Sequence, residues 1–377
     1  MAGNISRGNN MLKLMLTDRC NLRCSYCYEG EKKKKNLDKR IGQKAIDFYF
    51  ENFLCDYENV GFLPIVYHGG EPLLEFQLMR ELTQYAEYKM QNNKNDKVKS
   101  CRFSFTSNGT LLDESMYEFF KKNNFKISIS IDGKKEINDK NRKYLNGQGT
   151  FDIVMRKAKN LNKVLDDKLA IRMTVMPGAV SSLSDNVQYF LEEGFHRIGI
   201  ALDYFSNWEG KENILQEQLE ILKKIYINYH KQKKTIEIDL FDGKIGSFLI
   251  KEPPLFCNAG YGNITIDADG TIYPCAFAIN REFSIGNIEK GINYKKYASM
   301  LGCFLQQGTN DLEKCKACDI SYFCHAQKCG FLNWATTGYL NKSNKVVCMQ
   351  EKLLFPIIKD IIDTLKIGEK VGAKIDV

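Results

Sequence analysis

Between Met11 and about Leu240, short apolar runs of β type alternate with longer stretches of helical period. The runs are MLKLML (11–16), FLPIVYH (62–68), CRFSFTS (101–107), KISISID (126–132), LAIRMTVM (169–176) and RIGIAL (197–202). Strand–helix alternation predicts a parallel sheet, because parallel strands need long crossovers and a helix is the usual one. Six repeats suit an open doubly wound sheet or a partial β/α barrel, short of the eight of a closed one. After Gly243 the texture changes: up to about Cys348 the chain is rich in turns, as in KEPPLFC and DADGTIYPC. From Met349 to about Leu365 the helical spacing returns. The expected division is an α/β domain over 1–243, a loop-rich domain over 244–350, and a C-terminal helix and tail over 351–377.

Composition narrows the class. At 377 residues the chain exceeds the size at which one core usually stops growing, and 44% apolar residues suffice for a packed interior. No run of about 18 apolar residues occurs, and MAGNISRGNN lacks the basic-then-apolar build of a signal peptide, so a cytoplasmic protein without a membrane partner is expected. The balance of 54 basic against 46 acidic residues gives +8. The lysine runs EKKKK (31–35) and KKNNFK (121–126) carry no interleaved stacking platform and read as solvated loops, which argues against nucleic acid as a partner. Thirteen cysteines, an odd number without an export signal, argue against a disulfide framework and for metal ligation. Cys55 and Cys101, alone in apolar segments, read as core thiols.

Cys20, Cys24 and Cys27, in TDRCNLRCSYCYEG (17–30), follow directly on the first strand, at the end where α/β folds build their sites. A structural zinc would recruit a fourth protein ligand, and no His or carboxylate pair nearby offers one. An iron–sulfur cubane held by three thiolates keeps one iron open to an external ligand. The spacing, three residues then two with Tyr26 before the last cysteine, resembles the signature of radical S-adenosylmethionine (SAM) enzymes. The resemblance implies that the amino and carboxylate groups of SAM close the open iron, with Tyr26 near its adenine. HGGEP (68–72) resembles the family's GGEP element, which nominates Gly69, Gly70 and Glu71 as cofactor-binding. TSNGT (106–110), SISIDG (128–133) and NDKNR (138–142) resemble the segments that hold the ribose and carboxylate of SAM, nominating Ser107, Asn108, Ser130, Asp132 and Arg142. An arginine grips a carboxylate with two parallel hydrogen bonds, which lysine cannot copy.

The later cysteines are similar to those of the SPASM domain, a C-terminal extension of radical SAM enzymes that act on peptides and proteins. Carried over by position, Cys315, Cys318, Cys324 and Cys348 would ligate one auxiliary cluster, and Cys257, Cys275 and Cys329 the other. CKACDISYFC read alone would also pass for half of a zinc ribbon. Four residues rather than three separate Cys324 from Cys329, and Asn263 stands where sulfatase-maturing members place a further cysteine, leaving Cys303 or a non-cysteine group to complete the second set. Together the resemblances imply a partial (β/α)6 barrel with a loop-rich iron–sulfur domain and a terminal helix, three [4Fe–4S] clusters, and SAM.

The implied chemistry is reductive cleavage of SAM to a radical that takes a hydrogen atom from a peptide or protein substrate, supported by an external electron donor of flavodoxin or ferredoxin type. The expected activity is maturation of a ribosomally made peptide through a thioether or other side-chain cross-link. With 19 residues ahead of Cys20, any leader recognition is expected from the two domains, from a separate small protein, or not at all. The alternative is oxidation of a Cys or Ser to formylglycine, as in anaerobic sulfatase-maturing enzymes. Against it stands Ala276, where those maturases carry an Asp thought to act as general base; Asp203 or Asp242 would have to substitute.

Overall fold

The computed structural model describes residues 11–29, 35–53, 61–93, 98–166, 168–251, 259, 260, 262–306, 314–326 and 329–367, with the side chains of 301–306 excepted. Strands and helices alternate from the start: β1 (Met11–Thr17), α1 (Lys39–Phe53), β2 (Phe62–Gly69), α2 (Phe76–Gln91), β3 (Ser100–Ser107), α3 (Glu114–Lys122) and β4 (Lys126–Ser130). Two helices, α4 (Lys135–Asn141) and α5 (Phe151–Val164), precede β5 (Ala170–Val175). Then come α6 (Leu183–Glu192), β6 (Arg197–Leu202), α7 (Glu212–Lys231), β7 (Glu237–Ile238) and α8 (Asp239–Ile250). The remainder holds four short strands, β8 (Asn263–Ile266), β9 (Thr271–Tyr273), β10 (Gly286–Asn287) and β11 (Gly291–Ile292). Three helices end the chain: α9 (Tyr294–Gln306), α10 (Gly330–Thr337) and α11 (Lys345–Leu365). All six strand-like runs of the sequence are strands. Among the described residues no helix is long and apolar enough to cross a membrane.

The chain gathers into two compact units, neither continuous in sequence. The first is Met1–Ser128, Lys143–Gln148 and Leu255–Gln307; the second is Ile129–Arg142, Gly149–Pro254 and Gly308–Val377. In the first, the strand order is β11-β10-β9-β8-β1-β2-β3. β1 is central, parallel to β2 through Leu12↔Ile65 and to β8 through Met11↔Asn263, whereas β8 to β11 pair antiparallel. Its central place, buried on both faces, explains why MLKLML is an almost unbroken apolar run. Beside it Tyr67, Phe103, Phe105, Phe119, Phe120 and Phe125 pack ring against ring at 5.1–6.2 Å. Burying each such ring stabilises the fold by about 1.5–3 kcal/mol. The Tyr67 hydroxyl, buried with them, is satisfied by Thr83 Oγ1 at 2.9 Å.

In the second unit β5, β6 and β7 are parallel neighbours. Ile171, Met173 and Val175 of β5 are buried under helices, while Arg172 and Thr174 on the other face are half-buried. α11 packs on α7 and α8. Its start is capped by Asn344, whose side chain accepts from Val346 N (2.8 Å) and Val347 N (3.0 Å), fixing the turn that carries Cys348.

Candidate functional site

The loop that leaves β1 is tied down along its length. Asp18 N donates to Lys35 O (3.1 Å), Arg23 N to Lys143 O (2.8 Å), and Leu22 pairs with Tyr144 in an isolated bridge. From β2, Gly70 N donates to Thr17 O (2.9 Å) and Glu71 N to Arg19 O (2.8 Å), so the HGGEP turn lies directly on the base of the cysteine loop. That approach requires glycine: a Cβ on Gly70 would sit 2.4 Å from Arg19 O, and one on Gly69, at φ +151°, 2.2 Å from Thr17 O.

Glu71, only 1% exposed, is the joint of this corner. Its Oε1 accepts from Leu73 N (3.0 Å) and Ser107 Oγ (2.8 Å), and its Oε2 from Asn108 N (2.8 Å). One buried carboxylate thus pins the HGGEP turn to the end of β3. Asn108 continues inward: its Nδ2 donates to Asn21 Oδ1 (2.9 Å) and makes a long contact to Cys20 Sγ (3.8 Å), while its Oδ1 accepts from Thr110 N and Oγ1. Asn21 in turn donates to Thr110 Oγ1 at 2.8 Å. Cys20 Sγ also receives Leu22 N at 3.4 Å. Donors aimed at a sulfur favour its anionic, metal-binding form. Asn21 and Thr110 were not singled out from the sequence, although both lie within the quoted motifs.

In the first unit the structure therefore assembles the nominated Gly69, Gly70, Glu71, Ser107 and Asn108 around the cysteine loop. In that loop Cys20 and Cys24 are half-buried and Cys27 is exposed. Beyond it Tyr28 lies against Phe277, ring centroids 4.9 Å apart. Although Tyr28 as a whole is 46% exposed, desolvation of its hydroxyl, then the negative groups Glu29, Cys27 and Cys275, raise that hydroxyl above its usual range, and Cys275 is thus within electrostatic reach of this loop. Ala276 opens a short 3-10 turn after Cys275. Tyr26 is half-buried in the same loop.

In the second unit Asp132, 2% exposed, holds the buried Arg142 through Nε at 3.1 Å and accepts from Thr174 N at 3.0 Å; Ser130, also buried, ends β4. Asp203 accepts from Phe205 N (3.1 Å) and Ser206 Oγ (2.5 Å), holding a local turn, and Asp242 accepts from Tyr226 OH (2.7 Å) of α7 and from Ile238 N (2.6 Å), tying α8 to α7.

In this unit Cys348 lies within electrostatic reach of Cys315, Cys318 and Cys324. Burial raises the Cys348 thiol; nearby Lys352 opposes this, and the neighbouring Cys315 and Cys318 add to it. Burial pushes Cys324 up to about 12; the Ala326 N–H at 3.4 Å and Lys244 oppose this, and Glu351 and Cys348 add to it. Cys315 Sγ lies 3.8 Å from Ser343 Oγ. Among the described residues no three His, Cys, Asp or Glu side chains converge as ligands of a single ion would. Cys329 begins α10 in this unit, whereas Cys275 belongs to the first. Cys257, like Cys55, lies outside the described residues, and Cys303 lies in α9 with its side chain outside them. Cys101 is 7% exposed, its thiol raised by burial, as expected of a core residue.

Residues 14–182 match the radical SAM superfamily, and residues 257–319 match SPASM, an iron–sulfur cluster-binding domain. The cysteine-type anaerobic sulfatase-maturating enzyme of Clostridium novyi (strain NT) is 28% identical over 345 residues, 84% of this chain and 87% of that protein. The serine-type enzyme of Bacteroides thetaiotaomicron is 27% identical over 341 residues, 82% and 79% respectively. Among solved structures, native anSMEcpe with bound AdoMet superposes with a TM-score of 0.74 at 20% identity, covering 95% of this chain and 99% of that one. SuiB of Streptococcus suis bound to its precursor peptide SuiA superposes with a TM-score of 0.62 at 18% identity, covering 92% and 77%. These structures share the fold. The chain carries a radical SAM domain and a SPASM domain, which together imply a SAM-binding [4Fe–4S] cluster and auxiliary clusters as its cofactors.

Proposed function

We propose that this radical SAM enzyme oxidises a cysteine or serine side chain of a peptide or protein substrate to formylglycine, the reaction of sulfatase maturation. The observation that carries the reading is the similarity, through both domains, to cysteine-type and serine-type sulfatase-maturating enzymes. It reverses the order of preference drawn from the sequence alone, in which peptide cross-linking came first.

The residues divide the work as follows. Cys20, Cys24 and Cys27 would hold the cluster that binds SAM, a group that would supply the one-electron chemistry for reductive cleavage of SAM. Gly69 and Gly70 present backbone at close range, and Glu71 keeps that turn registered to Ser107 and Asn108. Arg142, backed by Asp132, takes the carboxylate of SAM. Cys315, Cys318, Cys324 and Cys348 hold one auxiliary cluster; Cys257, Cys275 and Cys329 contribute to the other. An acidic one-electron carrier of flavodoxin or ferredoxin type supplies reducing equivalents, in a reducing cytoplasm.

Ala276 favours a second reading. A methyl group next to Cys275 cannot accept the proton that aldehyde formation releases, whereas a substrate cysteine bound as thiolate at an open iron of the second auxiliary cluster would already have given up its proton before its sulfur is joined to a peptide carbon. Anaerobic incubation with SAM, dithionite and a cysteine-containing sulfatase peptide separates the two by mass spectrometry. Formylglycine has lost sulfur and reacts with hydrazides; a thioether retains sulfur and does not. Retained sulfur with loss of two hydrogens would transfer the assignment to cross-linking.

A further inference from the structure

Lys244 and Glu351 form an ion pair that the reading above does not use. Lys244 Nζ lies 2.6 Å from one carboxylate oxygen of Glu351 and 2.5 Å from the other, and the side chains are 7% and 2% exposed. Taking two charges out of water is costly, and an apolar pair of similar volume usually serves stability as well. The location gives the pair a purpose. Lys244 stands in the apolar helix α8, its Nζ 4.9 Å from the ring centre of Phe323, and one turn later Ser247 Oγ lies 3.1 Å from His325 Nε2. α8 therefore touches the residues on both sides of Cys324. Glu351 follows Cys348 by three residues, on the same face of α11. Phe248, Phe323 and Phe355 pack around the junction at 5.4–6.3 Å, excluding water from it.

We infer that the Lys244–Glu351 pair is a positioning and charge-setting element for the auxiliary cluster of Cys315, Cys318, Cys324 and Cys348, clamping the helices beside two of its ligands and fixing opposed charges beside it in a dry environment. The inference rests on that proposed ligand set. The Lys244 charge stabilises the cluster's extra electron and the Glu351 charge opposes it, so together they hold the potential between two extremes.

EPR-monitored redox titration tests this in reconstituted full-length protein carrying Cys20→Ala, Cys24→Ala and Cys27→Ala, which silences the SAM-binding cluster. Lys244→Met should shift the midpoint downward and Glu351→Gln upward. Each should change the reduced-to-oxidised ratio at fixed potential about tenfold or more, which is about 59 mV for one electron. The double variant Lys244→Met/Glu351→Leu should return close to the parent, and the second auxiliary cluster should not move. Unshifted midpoints, or shifts of the same sign in both single variants, would overturn the inference. If a single variant loses iron, the double decides: iron restored supports charge balance at the cluster, iron still lost reduces the pair to packing and overturns it. Cys324→Ala, assayed alongside, should lose about four irons. If it keeps them, the ligand set fails and the inference with it. If it loses them while the midpoints stay put, the ligand set stands and only the inference falls.

Discussion

Replacing Glu71 with Gln probes the joint of the proposed SAM corner. The carboxylate receives Leu73 N and Ser107 Oγ on one oxygen and Asn108 N on the other, at 2.8–3.0 Å. Glutamine keeps one acceptor oxygen. If that oxygen faces Leu73 and Ser107, the amide NH2 confronts the Asn108 N–H, which is then buried without an acceptor. A hydrogen bond to a charged group is worth about 1.5–3 kcal/mol, and a stranded buried donor costs about 1–3 kcal/mol, so a local loss of about 3 kcal/mol is expected at Asn108. That corresponds to amide exchange faster by on the order of 100-fold, measurable by hydrogen–deuterium exchange mass spectrometry on a peptide spanning 105–110. The peptides of α7 should be unchanged. Because Asn108 also reaches Cys20 Sγ and Asn21, SAM affinity should weaken in parallel. Asn108 exchange within threefold of the parent, with unaltered SAM affinity, would refute the role given to Glu71.

Gly70→Ala should cost the protein about four irons and SAM cleavage, because its Cβ would lie 2.4 Å from Arg19 O and the contact is backbone on both sides; iron analysis and EPR check this. Arg142→Lys should weaken SAM binding about tenfold or more by calorimetry while leaving the iron count intact, since lysine cannot make the forked contact. Cys101→Ala should keep every iron and lower stability by a small amount, as for other buried methyl-sized losses. Burial raises the pKa of Asp242 in the folded state, so its ionisation disfavours folding: stability should fall as pH rises through and above the ordinary aspartate range, and Asp242→Asn should flatten that slope in denaturation measured against pH.

The strands were legible because β1 to β6 are short apolar or alternating runs that sit between clear turn signals; that MLKLML lies at the centre of its unit's sheet emerged only from the fold. β7 was not, since two residues, Glu237 and Ile238, give no pattern to detect. The cysteine loop and HGGEP turn were legible as chemistry because thiol spacing and paired glycines are local. What Glu71 does was less so: its partners Ser107 and Asn108 are 36 and 37 residues away, and only the fold shows that both its oxygens serve as a joint. Asn21 and Thr110 escaped notice for the same reason. Lys244 offered one faint signal, a lysine inside the apolar stretch DLFDGKIGSFLI; its partner Glu351, 107 residues on, offered none. Asp203 and Asp242 were nominated by residue type alone, and their hydrogen-bond partners Phe205, Ser206, Tyr226 and Ile238 became visible only in the fold.

The most direct test of the account follows one hydrogen atom. The reconstituted enzyme is given SAM, dithionite and a sulfatase peptide whose target cysteine is deuterated at the β-carbon, and the 5′-deoxyadenosine formed is analysed by mass spectrometry. The account predicts one deuterium transferred to 5′-deoxyadenosine, accompanied by an aldehyde in the peptide. SAM cleavage with no deuterium transfer and an unaltered peptide would contradict it.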